Sequence, residues 1–192
     1  MKKIGLTGGI GSGKTTISKI FQIIGIPIYN SDEIAKKILK TNSSVKKKLI
    51  KHFGEKALTK NKIDNKKIAN IIFKQTEKLK IINSIIHPLV KENFKTWCDK
   101  QKKTYIIKES ALLFTSNAYK DLDHIIFIKA PFKLRIQRVK KRDKKNEKEI
   151  LSIIKNQSSD NFLEKKCDYL ITNDDKSFLT EQVLKLHSTF IK

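Results

Sequence analysis

A glycine-rich segment near the beginning of the chain has the residue types that bind a nucleoside triphosphate. Residues 5–16 read GLTGGIGSGKTT and fit the P-loop pattern Gly-x-x-x-x-Gly-Lys-Thr, directly after an apolar run. Glycines allow successive backbone N–H groups to converge on phosphate oxygens, and the lysine brings a positive charge to the β- and γ-phosphates. The hydroxyl of Thr15 can ligate Mg²⁺. The predicted triphosphate site comprises Gly8, Gly9, Gly11, Ser12, Gly13, Lys14, Thr15 and Thr16.

Two other nucleotide motifs have look-alikes in this chain. Residues 61–64 read NKID, which matches the guanine-recognition motif Asn-Lys-x-Asp of GTPases. This segment does not end an apolar strand, and the chain has no Asp-x-x-Gly sequence to sense a γ-phosphate. We therefore attribute the match to chance in a chain rich in Asn and Lys. A dinucleotide-binding Gly-x-Gly-x-x-Gly pattern also fails, because its third glycine is missing.

An aspartate follows the second predicted strand and is our candidate for the general base. Asp32 lies in YNSDEIA, directly after the apolar residues 26–29. Because the carboxyl ends of parallel strands face the ligand crevice, this carboxylate is expected beside the P-loop, where it can accept a proton from the phosphoryl acceptor. The alternative is that Asp32 caps the following helix, but Ser31 is an equally good cap.

Glu109 and His87 are weaker candidates. Glu109 follows the third predicted strand in YIIKES, so it is expected either to hold Mg²⁺ through water or to contact the acceptor. A surface acid without a function is the alternative for this residue. His87 precedes a proline, and a structural histidine at a helix junction is an alternative to a contact with the acceptor.

The only three arginines of the chain are Arg135, Arg138 and Arg142, and all the other basic residues are lysines. Their i, i+3, i+7 spacing places them on one face of a helix. A guanidinium group differs from an ammonium group in gripping phosphate oxygens at two points. We predict phosphate contacts for Arg138 and Arg142 ahead of Arg135. The alternative is a solvated basic face, to which the neighbouring lysines belong.

Apolar runs alternate with helix-length segments along most of the chain. Strands are predicted at 2–6, 26–29, 104–108, 124–130 and 168–172. Helices are predicted at 14–24, 32–40, 44–53, 64–73, 75–86, 88–101, 132–142, 147–157 and 177–190. Such alternation is typical of an α/β protein with a parallel sheet covered by helices on both faces. The long stretch between the second and third strands is predicted to be a helical insertion, broken at His87-Pro88.

The composition favours one globular, cytoplasmic domain. Two cysteines are too few for a disulfide scaffold, and no apolar run is long enough to cross a membrane. The net charge of +23 suggests a nucleic-acid partner, but the lysines are scattered and accompany a strong excess of isoleucine over valine. With aromatic residues at only 8% and no RNA-binding signature, a nucleic-acid-binding ATPase is the less favoured alternative.

Together these motifs resemble the dephospho-CoA kinase family over nearly the whole chain. The shared features are LTGGIGSGKTT, the Asp of NSDEIA, IHPLV, ALLF, RVKKRD, Asn156-Gln157 and DYLITND. The resemblance implies a P-loop kinase domain over 1–192, with a coenzyme-A-binding insertion at about 33–102 and a lid at about 131–165. It implies transfer of the γ-phosphoryl group of ATP to the ribose 3′-hydroxyl of dephospho-CoA with Mg²⁺. From the composition we expect no specific nucleic-acid partner and no membrane partner.

The resemblance also assigns roles to single residues. Asp32 matches the general base of the family, and the P-loop lysine and threonine match its phosphate and Mg²⁺ positions. Arg138 and Arg142 match the lid arginines, and His87 matches the histidine of the His-Pro motif on the acceptor side. Another small-molecule P-loop kinase, similar to nucleoside monophosphate kinases, is the closest alternative, which the long insertion and the contexts of Asp32 and His87 disfavour.

Three positions depart from the family pattern. Asn30 replaces the first acid of the usual Asp-Ala-Asp, Ala111 stands where a proline is common, and Thr115 stands where a glutamate often follows Leu-Leu-Phe. These departures remove any acid chemistry from positions 30 and 115. They leave the main assignment intact.

Overall fold

The computed structural model describes residues 1–54, 58–59, 62–64, 67–68 and 77–192. These residues divide into two compact units. The first unit comprises Met1–Asn30 and Lys100–Lys192, and the second comprises Ser31–Asp99. Most of the predicted helix at 64–73 lies outside the described residues, and so does the first residue of NKID.

The strands are, in chain order, β1 (Lys2–Thr7), β2 (Ile28–Asn30), β3 (Leu58–Thr59), β4 (Lys62–Ile63), β5 (Tyr105–Glu109), β6 (His124–Lys129) and β7 (Tyr169–Thr172). Five of them form a parallel sheet in the order β2-β5-β1-β6-β7. The five predicted strands and the parallel sheet are thereby confirmed. Their side chains are mostly buried, as expected for strands covered on both faces.

The helices are α1 (Lys14–Ile23), α2 (Ser31–Thr41), α3 (Ser43–Phe53), α4 (Glu77–Cys98), α5 (Phe132–Asp143), α6 (Glu147–Lys155), α7 (Asp160–Lys166) and α8 (Leu179–Phe190). The main core lies where α1 and α8 pack against the sheet. It includes Ile4 and Leu6 of β1, Ile17 and Phe21 of α1, and Val183 and Phe190 of α8. Full burial of each such side chain stabilises the fold by roughly 1.5–3 kcal/mol. Within the described ranges, no helix is long and apolar enough to cross a membrane.

The predicted helix break at His87-Pro88 is wrong. A single helix, α4, runs through both residues, with Pro88 in its interior. A proline inside a helix removes one hydrogen bond and costs about 3 kcal/mol. The apolar stripe Ile82, Ile86, Val90, Phe94 and Cys98 continues at a spacing of four residues on both sides of the proline and is buried throughout. Burying this stripe is worth more than the interrupted hydrogen bond costs.

Two further elements differ from the sequence prediction. The long stretch predicted to lack strands contains a short antiparallel hairpin of β3 and β4. In addition, α7 was not predicted; it is a short helix whose start is capped by the Ser159 hydroxyl, which accepts a hydrogen bond from the backbone N–H of Phe162 at 3.3 Å. The strands β3 and β4 are shorter than four residues, and α7 is shorter than two helical turns. A periodic pattern cannot be recognised in so few residues.

The outer edge of β7 is occupied by a side chain. Oε1 of Gln182 accepts a hydrogen bond from the backbone N–H of Thr172 at 2.8 Å. Nε2 of the same residue donates to the carbonyl oxygen of Thr172 at 3.0 Å. The carboxamide therefore takes the place that a further strand would have along the sheet at this residue.

Candidate active site

The predicted P-loop lies in the turn between β1 and α1, at the carboxyl end of a central strand. Gly8 to Gly13 form the turn, and Lys14, Thr15 and Thr16 form the first turn of α1. The turn is narrow at Gly13, where φ is +97° and a Cβ atom would lie 2.1 Å from Nδ2 of Asn173. A helix N-terminus and converging N–H groups at this place are the features that bind phosphate.

The side chain of Lys14 folds back over the loop. Its Nζ donates hydrogen bonds to the carbonyl oxygens of Gly8 at 2.9 Å and Gly9 at 3.3 Å. The positive charge is thus held at the mouth of the loop, where a triphosphate would bring its negative charge.

Glu109, at the end of β5, lies against the first turns of α1. Its carboxylate is buried and accepts hydrogen bonds from Thr15 Oγ1 at 3.3 Å and from Ser18 Oγ at 2.7 Å. Asn30 Nδ2 donates to the same carboxylate at 3.3 Å. Glu109 was predicted either to hold Mg²⁺ through water or to contact the acceptor, and both roles stay predictions; the structure places its carboxylate beside the P-loop threonine. Ser18 was not predicted, although it follows Thr15 by about one helical turn.

The oxygen atoms of Thr15 and Glu109 fit a hard divalent cation. A hydroxyl and a carboxylate are the donors that Mg²⁺ prefers, and Mg²⁺ commonly takes its remaining ligands from water and substrate phosphates. Among the described residues, no group of three or more His, Cys, Asp or Glu residues could hold a metal ion by itself. The Thr15 hydroxyl and the Glu109 carboxylate support a site that is shared between protein and substrate.

Asn173, directly after β7, is a site residue that the sequence analysis missed. Its Nδ2 donates to the carbonyl oxygen of Ser12 at 2.7 Å, and its Oδ1 accepts from Nη2 of Arg138 at 3.0 Å. Asn173 follows a strand directly, which is the position that made Asp32 and Glu109 candidates. It was overlooked because a neutral amide is not a typical catalytic group. In the next turn, backbone N–H groups of Ser177 and Lys176 lower the pKa of Asp174.

The three arginines have different surroundings. Arg138 Nη1 donates to the carbonyl oxygen of Gly11 at 3.4 Å, and its Nη2 pairs with Asp175. Arg135 is buried, and it bonds the carbonyl oxygen of Ile10 and the carboxylate of Asp160. The structure thus brings Arg135 and Arg138 to the P-loop.

Comparison with known proteins identifies the family. Residues 2–178 match the model of the dephospho-CoA kinase family. The dephospho-CoA kinase of Bacteroides fragilis (strain YCH46) is 37% identical over 188 residues, covering 96% of this chain and 90% of the relative. That of Fusobacterium nucleatum subsp. nucleatum is 41% identical over 172 residues, covering 89% of each chain. The solved dephospho-CoA kinase from Campylobacter jejuni is 29% identical with a TM-score of 0.69, covering 98% of this chain and 96% of that one.

This chain belongs to the dephospho-CoA kinase family. Dephospho-CoA kinases transfer the γ-phosphoryl group of ATP to the ribose 3′-hydroxyl of dephospho-CoA, so the chain is an ATP-dependent phosphotransferase. Such an enzyme requires ATP with a divalent metal ion. The resemblance drawn from the motifs is confirmed, and so is the P-loop kinase fold.

In this dephospho-CoA kinase, two predicted site residues lie in the unit Ser31–Asp99. Asp32 is the second residue of α2, whose first residue directly follows β2. It therefore lies inside the first turn and not at the cap position, where the alternative reading placed it. His87 lies in the middle of α4, where it is partly buried.

Arg142 is the predicted phosphate contact that the structure does not bring to the P-loop. Its side chain is 61% exposed and pairs with the adjacent Asp143, with Nε 2.7 Å from Oδ1. The hydrogen bond to Asp143 raises the pKa of the guanidinium further, which keeps it positively charged. A role of Arg142 in the kinase stays a prediction.

Proposed function

We propose that this kinase binds the triphosphate of ATP on residues 8–16, with Lys14 as the charge that stabilises the transferred phosphoryl group. The observation that carries this proposal is the contact of the buried Glu109 carboxylate with Thr15 and Ser18 at the start of α1. It places an acid next to the P-loop threonine, as a metal-dependent phosphotransferase requires. Phosphoryl transfer has a loose transition state, so most of the rate comes from positioning and from charge stabilisation.

Mg²⁺ is the divalent ion that we propose for this site. The Thr15 hydroxyl would hold it, and Glu109 would hold it directly or through water. When bound, the ion neutralises charge that develops on the phosphate oxygens. Of the two roles predicted for Glu109, the hydrogen bond with Thr15 supports the role on the metal side over a contact with the acceptor.

On the acceptor side, we propose that Asp32 orients the ribose 3′-hydroxyl of dephospho-CoA and takes its proton. Residues from about 33 to 102, including His87, would bind the acceptor. Asp32 follows β2 directly, and β2 pairs with β5, the strand that ends with Glu109. This order along the chain and in the sheet supports the assignment, because ligands bind at the carboxyl ends of parallel strands.

Residues from about 131 to 165 would form the lid over the triphosphate. Arg138 supports this assignment because its guanidinium already reaches the carbonyl oxygen of Gly11. Arg142 would join it by exchanging the carboxylate of Asp143 for phosphate oxygens, which a guanidinium grips in the same two-point manner. Closing the lid excludes water from the transferred group.

The substrate assignment can be tested by product analysis. The protein is incubated with ATP and Mg²⁺ in the presence of dephospho-CoA, AMP, CMP or shikimate, and mass spectrometry shows which acceptor gains a phosphate. We expect phosphorylation of dephospho-CoA alone, and none by the Lys14→Ala variant. Phosphorylation of AMP or CMP without dephospho-CoA would instead indicate a nucleoside monophosphate kinase.

We also propose a cytoplasmic location and no specific nucleic-acid partner. The charge of +23 is spread along the chain, so it favours weak, salt-sensitive attraction of any polyanion. Filter binding to RNA of random sequence across a series of salt concentrations tests this. Binding that survives physiological salt would contradict the proposal.

A further inference from the structure

Both backbone groups of Ile10, at the tip of the P-loop, are bound by side chains from a distant part of the chain. The N–H of Ile10 donates to Oε1 of Gln157 at 2.9 Å. Its carbonyl oxygen accepts a hydrogen bond from Nε of Arg135 at 3.1 Å. The loop itself makes one hydrogen bond across the tip, from the Ser12 N–H to the Gly9 carbonyl oxygen at 3.1 Å, and α5 and the segment that joins α6 to α7 hold both groups of Ile10.

The Arg135 side chain is buried and held by an ion pair. Its Nη1 donates to both carboxylate oxygens of Asp160 at 2.9 Å, and only 4% of its side chain is exposed. The guanidinium also packs directly on Gly9, where a Cβ atom would lie 1.8 Å from Nη2. A guanidinium with these partners is a rigid support and is not available as a fork for phosphate oxygens.

The side chain of Ile10 is attached to the same region. It packs against the apolar cluster formed by Ile136, Val139 and Ile150, which joins α5 to α6. The hydrogen bonds and the apolar contact of Ile10 are thus both made with α5 and with residues in or just after α6. Any displacement of these helices would act on the tip of the loop through three separate contacts.

We propose that Arg135 and Gln157 are positioning residues, which set the shape of the P-loop and thereby the affinity for ATP. Asp160 orients Arg135 in this arrangement. The N–H groups of a P-loop bind phosphate only in the geometry that points them at one centre, and a hydrogen bond on each side of Ile10 restricts that geometry. The inference rests on ATP binding by the P-loop in the proposed function.

Gln157→Leu is the first variant to test, because Gln157 is partly exposed in a loop whereas Arg135 is buried. Leucine has a similar volume and cannot accept a hydrogen bond from Ile10. Isothermal titration calorimetry with ATP·Mg²⁺ should show affinity weakened about tenfold, which is the size of one lost hydrogen bond. The affinity for dephospho-CoA should stay unchanged. The matched control is Asn156→Ala, since the Asn156 side chain donates a hydrogen bond to the Ser152 carbonyl oxygen of the preceding helix, at 2.9 Å, and not to the P-loop.

Combining Gln157→Leu with Arg135→Lys tests whether both side chains act on the same peptide. If they do, the double variant should lose less ATP affinity than the product of the two single losses. An unchanged affinity for ATP in Gln157→Leu would overturn the inference. An equal loss of affinity for ATP and for dephospho-CoA, together with a fall in thermal stability, would also overturn it. Failure of the wild-type protein to bind ATP would overturn the proposed function as well, so the two failures are distinguishable.

Discussion

The side-chain amide of Asn173 donates a hydrogen bond of 2.7 Å to the carbonyl oxygen of Ser12, which ties the last strand of the sheet to the P-loop. The two residues are 161 positions apart in the sequence. Arg138 binds the other end of the same amide. The P-loop, near the beginning of the chain, is therefore held in part by a residue near the end of the chain.

Replacing Asn173 by alanine should weaken ATP binding and destabilise the fold. The side chain is buried, and its loss leaves the carbonyl oxygen of Ser12 without this donor, which costs about 1–3 kcal/mol. We expect the KM for ATP to rise about tenfold. Urea unfolding and steady-state kinetics measure the two effects. Asn161→Ala, at an exposed position of α7, is the control; if both variants behave alike, Asn173 does not support the loop.

Glu109→Gln should raise the Mg²⁺ concentration needed for half-maximal activity. Glutamine keeps one oxygen acceptor, so it can serve only one of the two hydroxyls that now bond different oxygens of Glu109, and it removes the negative charge that attracts a cation. Loss of such a group near a metal typically costs ten- to a hundredfold in affinity, by order of magnitude. Activity is measured in a magnesium titration at saturating ATP. The control is Ser18→Ala, which removes a hydrogen bond to Glu109 but keeps the charge of the carboxylate, and it should shift the curve much less. Coinciding curves for Glu109→Gln and the wild-type protein would exclude the metal role.

Asp32→Asn should lower kcat far more than it changes the binding of ATP. If the carboxylate accepts the proton of the 3′-hydroxyl, its loss reduces kcat by about 10²- to 10⁴-fold. Glu33→Gln is the matched control, because Glu33 is exposed on the next position of α2 and pairs with Lys36 at 2.9 Å. Near-normal kcat in Asp32→Asn would remove the general base from the mechanism.

Arg142→Lys tests the lid with the charge kept constant. Lysine cannot grip phosphate oxygens at two points, so kcat should fall about tenfold if Arg142 closes over the triphosphate. Lys141→Arg adds a guanidinium at the neighbouring position and should change kcat by less than about twofold, as for most surface substitutions. Equal and negligible effects of both substitutions would mean that the clustering of the arginines is a coincidence.

Most of the sheet was predictable because its signals are local. Each strand is a short apolar run bounded by polar residues, and the P-loop pattern marks the turn after β1 without reference to the rest of the chain. The continuity of α4 through Pro88 was not predictable. It depends on the burial of residues on both sides of the proline, and a local rule for the residue before a proline cannot weigh that burial.

The site was predictable where chemistry and position coincide. The P-loop pattern places Lys14 and Thr15 at the start of the helix after β1, and Glu109 ends the neighbouring strand β5, so a parallel sheet brings them to the same edge. Asn173 and Gln157 carry neutral amides, which are common in solvated loops, and only the folded chain shows what they bind. The burial of Arg135 could not be predicted for a related reason. Its ion-pair partner, Asp160, lies two helices later in the sequence.

The carboxamide of Gln182 has a consequence for how this protein behaves at high concentration. The last strand of an open sheet offers unpaired N–H and C=O groups to any extended chain that approaches, and proteins that leave such a border long and free tend to aggregate. By occupying both groups of Thr172, Gln182 shortens the free border of β7. Gln182 thus helps to keep the kinase from adding foreign strands to its own sheet.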